Sequence, residues 1–479
     1  MIPLSCAQIA EAVGGELAGV DPAAIVDGSV ERDSRAITAG GLFLAFAGAN
    51  VDGHDYVPAV TAAGATVSIT TRPVDGSPCI VVADVQTAVG ELARYVISQL
   101  PDLTVIGLTG SQGKTSTKDL IAQLLAPYGS TVAAAGSMNN EIGHPLTSLK
   151  ADLTTRFLVA EMGARHVGDI TYLCRITPPK VGLVLNVGHS HIGEFGSQDA
   201  IAAAKGEMIE AVLAGGTAVL NADDPRVAAM AARTSENVVF WGEAPEATVR
   251  ANGVELDALG RAGFTLELGG EQHAVQLQVV GEHQVANALA AAAAVQAVGL
   301  TPAQIAEGLS TATAASKWRM EVTERADGVT IINDAYNANP ESMRAALKAL
   351  VAIGRSRAGQ AGAGQAGAGQ AGGGRTWAVL GPMGELGDSH TEEHDAIGRL
   401  AVRLDVQRLV VVGEGARPIH LGASLEGSWG NESAYVDSFD EALELLRKEL
   451  QQGDVVLVKA SRFVGLDRLA TALLEEASQ

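Results

Sequence analysis

A glycine-rich turn between a predicted strand and a predicted helix constrains this chain most. The apolar run 105–108 predicts a buried strand, and a helix opens at Lys114, Thr115 and Ser116. In such a turn, backbone N–H groups and the positive end of the helix dipole point at the same anion. Lys114 can then reach the outer phosphates, and the Thr115 hydroxyl can hold Mg²⁺. The turn therefore predicts a site for ATP or GTP.

The spacing within this turn departs from the common phosphate-loop pattern G-x-x-x-x-G-K-[ST]. The first glycine of that pattern would fall on Leu108, whereas the chain has Gly110, in the form T-G-x-x-G-K-T. This shorter loop argues against an ordinary GTPase or motor ATPase. The alternative is a glycine-rich strand-to-helix turn that carries an unrelated lysine.

Composition excludes several classes of protein. The net charge of −22 argues against nucleic acid or an anionic membrane as a general partner. Cys6, Cys79 and Cys174 are far apart, which predicts reduced thiols in a cytoplasmic protein and no zinc site. The N-terminal residues lack the basic and apolar regions of a signal peptide, and Ser5 is a predicted helix cap. The Ala-rich run 285–300 contains polar residues and predicts a buried helix, so we expect no membrane insertion.

The strand and helix pattern predicts three α/β domains, which we call the first segment (1–100), the middle segment (101–315) and the last segment (316–479). Pro101 marks the first boundary. The run 263–280 alternates apolar and polar residues, which predicts a hairpin. Helical patterns separate the predicted strands of the middle segment, as expected for a covered parallel sheet, and these strands are 104–109, 156–161, 181–187, 217–221 and 237–241.

The last segment repeats the α/β pattern. Its predicted strands are 329–333, 376–380, 408–412 and 455–459, with helices at 340–353, 391–404, 438–451 and 465–476. The Ala-Gly-Gln repeat of residues 355–375 has no large apolar side chain, which predicts a flexible loop between a helix and a strand. Open α/β sheets bind ligands in the loops that follow their strands, so polar residues in these loops are candidate site residues.

Several such residues stand out. Glu161 ends a strand, and an acidic residue there usually serves the Mg²⁺ of a phosphate-loop protein; the alternative is a surface carboxylate. His189 and His191 can approach a metal or a phosphate, or they are ordinary loop residues. Asp334 can bind a ribose hydroxyl pair and Tyr336 can pack on a base, with a turn and helix cap as the alternative.

Five motifs taken together resemble the Mur ligase family, whose members are ATP-dependent amide ligases of peptidoglycan synthesis. They are T-G-S-Q-G-K-T at 109–115, E-M-G at 161–163, G-E-H-Q-V-A-N at 281–287, W-R-M-E at 318–321 and N-D-A-Y-N-A-N-P-E-S-M at 333–343. The resemblance spans residues 30 to 465. It implies a three-domain α/β architecture, with a UDP-substrate domain, a central P-loop parallel-sheet ATPase domain and a C-terminal Rossmann-like domain.

Further segments resemble the family member that joins D-alanyl-D-alanine to UDP-N-acetylmuramoyl-tripeptide. They are D-S-R at 33–35, N-N-E-I-G at 139–143, F-G-S at 195–197, Y-N-A-N-P at 336–340 and G-E-L-G at 384–387. The resemblance implies these two substrates, ATP and Mg²⁺, and we expect a monomer. The alternatives are a sister ligase for another amino acid, a folylpolyglutamate synthetase, or a nucleotide-dependent switch that forms no amide.

The resemblance also assigns roles to single residues. Read alone, Lys205 is a solvated surface lysine, but it matches a lysine that is carbamylated in several family members. The implied catalytic residues are Lys114, His191 and Lys205. The implied Mg²⁺ ligands are Thr115, Glu161, His191 and Lys205. The implied nucleotide-binding residues are Thr109, Gly110, Ser111, Gln112, Gly113, Lys114, Thr115, Ser116, Asn287, Arg319, Asp334 and Tyr336. The implied substrate-binding residues are Ser34, Arg35, Asn139, Asn140, Asn337, Asn339, Lys459 and Ser461.

Overall fold

The computed structural model describes residues 1–48, 51–362, 374–427 and 432–475. The elements of the first segment are β1 (Leu4–Ser5), α1 (Cys6–Val13), β2 (Glu16–Ala18), β3 (Ile25–Val26), β4 (Val30–Glu31), β5 (Leu42–Leu44), α2 (Val57–Ala62), β6 (Val67–Thr70), β7 (Cys79–Val81) and α3 (Val85–Ser98). Five of the strands form a sheet in the order β2-β7-β6-β5-β4. Helix α1 begins after Ser5 as predicted, because the Ser5 hydroxyl and the Gln8 side chain each accept from the other residue's backbone N–H.

The elements of the middle segment are β8 (Thr104–Thr109), α4 (Lys114–Leu125), β9 (Ser130–Ala133), α5 (Gly143–Ser148), β10 (Thr155–Glu161), α6 (Asp169–Ile176), β11 (Val181–Val184), α7 (Ile192–Phe195), α8 (Gln198–Glu210), β12 (Thr217–Asn221), α9 (Pro225–Ala228), β13 (Asn237–Trp241), β14 (Val249–Leu256), β15 (Arg261–Leu268), β16 (Glu271–Val280), α10 (His283–Ala297) and α11 (Pro302–Thr311). The nine strands form one sheet in the order β16-β15-β14-β13-β12-β11-β8-β10-β9. Strands β9 to β14 and β8 run parallel, and the predicted hairpin is the antiparallel pair β15 and β16.

The position of β8 between β10 and β11 builds the functional edge of this sheet. Leu108 pairs with Glu161 on one side, and Thr109 pairs with Val184 on the other. Because the three strands are parallel, their carboxyl ends meet at one edge. The glycine turn, Glu161 and the loop after β11 therefore lie side by side.

The elements of the last segment are β17 (Glu321–Glu324), β18 (Thr330–Asn333), α12 (Pro340–Gly362), β19 (Thr376–Leu380), α13 (His390–Arg403), β20 (Arg408–Val412), α14 (Arg417–Leu425), β21 (Ser433–Val436), α15 (Phe439–Glu449), β22 (Val455–Lys459) and α16 (Asp467–Glu475). Six strands form a sheet in the order β17-β18-β22-β19-β20-β21, parallel except for β17. The three sheets agree with the predicted three-domain α/β architecture, while the boundaries near residues 100 and 315 stay a prediction.

The Ala-rich helix α10 lies against the middle sheet as a buried helix. Residues 288–294 are each at most 3% exposed, and they pack with Leu120 and Leu124 of α4 in one apolar cluster. Alanine side chains are short, so α10 can approach its neighbours closely. No helix in the described ranges is both long enough and apolar enough to span a membrane.

One predicted loop is partly wrong. Helix α12 continues to Gly362, whereas the repeat of residues 355–375 predicts a loop that begins at 355. The start of the repeat contains Arg, Ala and Gln, which favour helix and extend α12. The rest of the predicted loop, from 363 to 373, lies outside the described residues.

The close contact between helices α13 and α14 at Gly398 can be tested by mutation. A Cβ on Gly398 would lie 1.9 Å from the carbonyl oxygen of Ile419, so the two backbones touch where glycine stands. We expect Gly398→Ala to push the helices apart and destabilise the last segment by about 1–3 kcal/mol. Thermal unfolding measures this loss, with Thr391→Ala at an exposed position of α13 as the control. Equal unfolding temperatures for the two variants would contradict this packing.

Candidate active site

One cavity of about 1600 Å³ opens between the carboxyl edges of the middle and last sheets. Arg32 and Gln86 of the first segment also reach it, so all three segments contribute to its walls. The cavity collects most of the predicted site residues, namely Ser111, Gln112, Gly113, Lys114, Thr115, Ser116, Asn139, Asn140, Glu161, His191, Lys205, Asn287, Arg319, Asp334, Tyr336, Asn337, Asn339, Lys459 and Ser461.

The glycine turn has the shape that phosphate binding requires. Gly113 precedes α4 with a φ of 80°, and a Cβ there would lie 2.4 Å from the Asn287 Oδ1 atom. Both facts favour glycine at this position. The first N–H groups of α4 have no partner within the helix and point out of its N-terminus. Lys114 Nζ folds back on the turn and donates to the Gly110 carbonyl at 2.6 Å.

Asn186, which the sequence does not single out, organises the turn. Its Oδ1 atom accepts from the N–H groups of Ser111 and Gln112 at 2.9 and 3.0 Å. The Asn186 Nδ2 group donates to the Gln112 carbonyl at 3.2 Å. The amides of residues 110–113 are the ones predicted to bind phosphate, and two of these four are therefore already bonded. The signal in the sequence is a polar residue shortly after a strand of the same sheet.

The predicted metal ligands Thr115 and Glu161 are in direct contact. Thr115 Oγ1 donates to Glu161 Oε2 at 3.0 Å, and Asn139 Nδ2 donates to Glu161 Oε1 at 2.7 Å. Ser137, absent from the sequence predictions, lies 2.7 Å from Thr115 Oγ1. Arg319 from the last segment donates to both hydroxyls at 3.1 Å. Within the described ranges, no three His, Cys, Asp or Glu residues form a group that could hold a metal by themselves.

Lys205 is buried, so its interpretation as a surface lysine is wrong. Only 3% of the residue is exposed, although it lies on the cavity wall. Burial, and then the nearby charge of Lys114, lower the pKa of Lys205 well below its ordinary value. Burial also lowers the pKa of Lys114, against the opposite effect of Glu161. In the part of the chain that the structure describes, the Lys205 ammonium forms no hydrogen bond or ion pair.

The two histidines after β11 contact carboxylates of the last segment. His189 Nδ1 lies 2.6 Å from Glu341 Oε1, and His191 Nδ1 contacts Glu385 Oε2. His191 lines the cavity, and His189 does not. Neither contact could be predicted from spacing, because the partners are more than 150 residues away along the chain.

Asp334 and Lys459 pair with each other within the cavity wall. Lys459 Nζ lies 2.6 Å from Asp334 Oδ2 and donates to the Asn337 carbonyl at 3.0 Å. Only 2% of the Lys459 side chain and 12% of the Asp334 side chain are exposed. Beside them, the Arg319 guanidinium lies 4.1 Å from the centre of the Tyr336 ring. The ring is thus covered by a cation at the place where a base is predicted to pack.

A chain of hydrogen bonds joins the last segment to the glycine turn. Asn339 Nδ2 donates to Ser190 Oγ at 2.5 Å, and Ser190 Oγ donates to the Ser111 carbonyl at 3.0 Å. These two bonds connect the last segment to the turn. Ser461 Oγ accepts from the N–H of Gly384 at 2.8 Å, within the last segment.

Four predicted site residues do not line the cavity. Thr109 is fully buried at the end of β8, and Gly110 lies under the turn beside Leu185. Arg35, whose side chain is 88% exposed, pairs with Asp33 at 2.7 Å, and Ser34 lies beside it outside the cavity. Arg32, three residues before Arg35, lines the cavity instead.

Comparison with known families agrees with this arrangement. Three family models match the chain: the catalytic domain of the Mur ligase family at residues 29–103, the Mur ligase middle domain at 108–295 and the Mur ligase glutamate ligase domain at 318–462.

Known proteins resemble the chain along almost its whole length. The chain is 49% identical to the UDP-N-acetylmuramoyl-tripeptide–D-alanyl-D-alanine ligase of Mycobacterium tuberculosis strain H37Rv, across 99% of this chain and 98% of that protein. A crystal structure of MurF from Acinetobacter baumannii matches over 99% of both chains, with 33% identity and a TM-score of 0.86. MurF from Thermotoga maritima in complex with ADP matches 94% of this chain and 98% of that one, with 28% identity and a TM-score of 0.78.

The contribution of the buried pair Asp334 and Lys459 to the free energy of unfolding can be tested by mutation. Lys459→Met leaves a largely buried carboxylate without its partner, which should destabilise the last segment by about 3–5 kcal/mol. The double variant Asp334→Asn/Lys459→Met removes both charges and should recover much of that loss. Thermal unfolding of the two variants and the parent protein measures the difference. A double variant that is no more stable than Lys459→Met would contradict the pairing.

Proposed function

The chain belongs to the Mur ligase family, and on that premise we propose that it joins D-alanyl-D-alanine to the carboxylate of UDP-N-acetylmuramoyl-tripeptide. The reaction consumes ATP, proceeds through an acyl phosphate and forms the UDP-N-acetylmuramoyl-pentapeptide precursor of peptidoglycan. The observation that carries this proposal is one shared cavity, because a phosphate-binding turn, a buried lysine and polar residues of the last segment all line it.

The chemistry needs two consecutive substitutions. An oxygen of the tripeptide carboxylate attacks the γ-phosphorus of ATP, and ADP leaves. The amine of D-alanyl-D-alanine then attacks the acyl carbon, loses a proton, and expels phosphate that retains one carboxylate oxygen. Water would hydrolyse the acyl phosphate, and we propose that the contacts between the middle and last segments shield the intermediate.

The main barrier is the approach of a carboxylate to a triphosphate, since both are anions. We propose that Lys114, the N-terminus of α4 and Arg319 offset this repulsion. Their positions support this role, because Lys114 and Arg319 line the cavity and Arg319 contacts the first turn of α4. Fixed positive charge in a desolvated site stabilises developing negative charge strongly.

The residues around Thr115 fit a magnesium ion. Thr115 Oγ1 and Glu161 Oε2 are hard oxygen donors 3.0 Å apart, at the end of the turn where the outer phosphates would lie. We propose that they hold Mg²⁺, with His191 and Lys205 near a second ion. A bound Mg²⁺ would neutralise phosphate charge and orient the γ-phosphate.

Lys205 suits a modified form of lysine. Its lowered pKa leaves more of the amine neutral than in free lysine, and only a neutral amine adds to CO₂. In that reaction an N–C bond forms, the nitrogen loses a proton and the side chain becomes an anionic carbamate. We propose that this carbamate supplies the oxygen ligand that the unmodified amine cannot supply.

The remaining assignments are also proposals. The first segment would bind the UDP end of the substrate, with Ser34 and Arg35 as candidates, and the middle and last segments would bind ATP and the dipeptide. We propose a cytoplasmic location, which the three buried, unpaired cysteines support, and a monomer.

Substrate omission tests the ligase function. With ATP, Mg²⁺, UDP-N-acetylmuramoyl-tripeptide and D-alanyl-D-alanine, we expect phosphate release and the pentapeptide product together. Without the dipeptide, phosphate release should fall to a small background. Unchanged release without the dipeptide would contradict the assignment, and faster reaction with another amino acid would favour a sister ligase.

Removal of Lys205 tests the carbamate. We expect Lys205→Ala to lower kcat by about hundredfold or more, and a small carboxylate such as acetate to restore part of the rate. Acidification should lower the wild-type rate, because a protonated amine forms no carbamate. Lys150→Ala, at an exposed lysine of the same segment, is the control. Full turnover by a folded Lys205→Ala variant would refute the role.

A further inference from the structure

A second buried lysine on α4 holds one wall of the cavity. Only 1% of the Lys118 side chain is exposed. Its ammonium donates to the carbonyls of Ala134 and Gly136, at 3.1 Å from the latter, and lies 2.8 Å from Asp119 Oδ1. These three acceptors match the three N–H groups of a lysine ammonium. The side chain is therefore committed to one position.

The carbonyls that Lys118 binds belong to the loop between β9 and α5. The residues that follow in this loop, Ser137 and Asn139, contact the predicted metal ligands. The N–H of Gly163, after β10, also donates to the Asn139 carbonyl at 2.8 Å. The loop thus forms the wall that faces the first turn of α4.

The geometry links this wall rigidly to the phosphate-binding helix. Lys118 comes three residues after Thr115, so both side chains lie on one face of α4. Thr115 touches Ser137 directly, and Lys118 binds the same loop one turn further along the helix. Two attachments on one helix face fix both the position and the orientation of the loop.

Stability alone does not account for a buried ammonium here. The loss of hydration on burial offsets much of the attraction between a lysine and its partners, and a buried ion pair that is replaced as a whole by apolar side chains of similar volume often costs a core little. The position of the loop, by contrast, depends on the directed hydrogen bonds that only a donor can make.

We propose that Lys118 is a positioning residue for the ligase reaction. It ties the loop of residues 134–139 to α4, and so sets Ser137 and Asn139 against Thr115 and Glu161. Lys118 does not line the cavity and acts through these four side chains. This inference rests on the proposed ligase function.

The variant Lys118→Met removes the donors and keeps a similar volume. We expect kcat/KM for ATP to fall by about tenfold to hundredfold, because small displacements of groups around a reacting centre carry such losses. KM for D-alanyl-D-alanine should change less than KM for ATP. Lys118→Met also leaves the Asp119 carboxylate and two loop carbonyls without their donor, so the variant should lose thermal stability, and rates are compared at a temperature well below its unfolding. Asp119→Asn keeps an acceptor for Lys118 and both bonds to the loop, so it should lose much less kcat/KM than Lys118→Met, while Lys150→Ala at an exposed lysine is the control that should retain the parent rate.

A double-variant cycle separates positioning from a general structural role. If Lys118 acts through Ser137, the losses in kcat/KM caused by Lys118→Met and Ser137→Ala should not multiply in the double variant. Losses that multiply, or a folded Lys118→Met with the parent kcat/KM, would overturn the proposal. If Lys118→Met does not fold, Lys118→Gln provides the same comparison. Product formation by the parent protein is measured in parallel, since its absence would refute the ligase function instead.

Discussion

The site depends on buried positive charge within a chain whose net charge is −22. Two anionic substrates must meet there, and the protein as a whole repels both. We propose that Lys114 and Arg319 offset that repulsion from different walls of one cavity. Both side chains are partly shielded from solvent, so their charges act with less screening by water. Burial lowers the pKa of Lys205 well below its ordinary value, so in the proposed reaction this lysine acts as a neutral amine and then as a carbamate, and not as a fixed cation.

The order of the strands places the polar groups of the site beside the glycine turn. With β8 between β10 and β11, the glycine turn has Glu161 on one side and Asn186 on the other. The last segment then completes the site from the opposite wall, where Arg319 contacts Thr115 and Asn339 connects through Ser190 to the turn. Because these contacts cross between segments, the groups of the site lie together only while the middle and last segments are in contact.

Local patterns in the sequence predict much of this structure. The alternation of apolar strands and helices predicts the central strands of the middle and last sheets but not β9, β14, β17 and β21, and the capping signal at Ser5 predicts the start of the first helix. The structure brings nineteen of the twenty-three predicted site residues to one cavity, and their roles stay predictions. Long-range contacts are different: the pairs His189–Glu341 and Asp334–Lys459 depend on how distant segments pack. Burial lowers the pKa of Lys205, and the residues beside it in the sequence do not indicate that it is buried.

In the proposed reaction, ATP activates the tripeptide carboxylate as an acyl phosphate in this cavity. Tripeptide labelled with ¹⁸O in the reacting carboxylate tests this step, with the released phosphate examined by ³¹P NMR. Each released phosphate should carry one oxygen from the carboxylate, and this transfer should require ATP. Phosphate without ¹⁸O, released while the amide product forms, would contradict it.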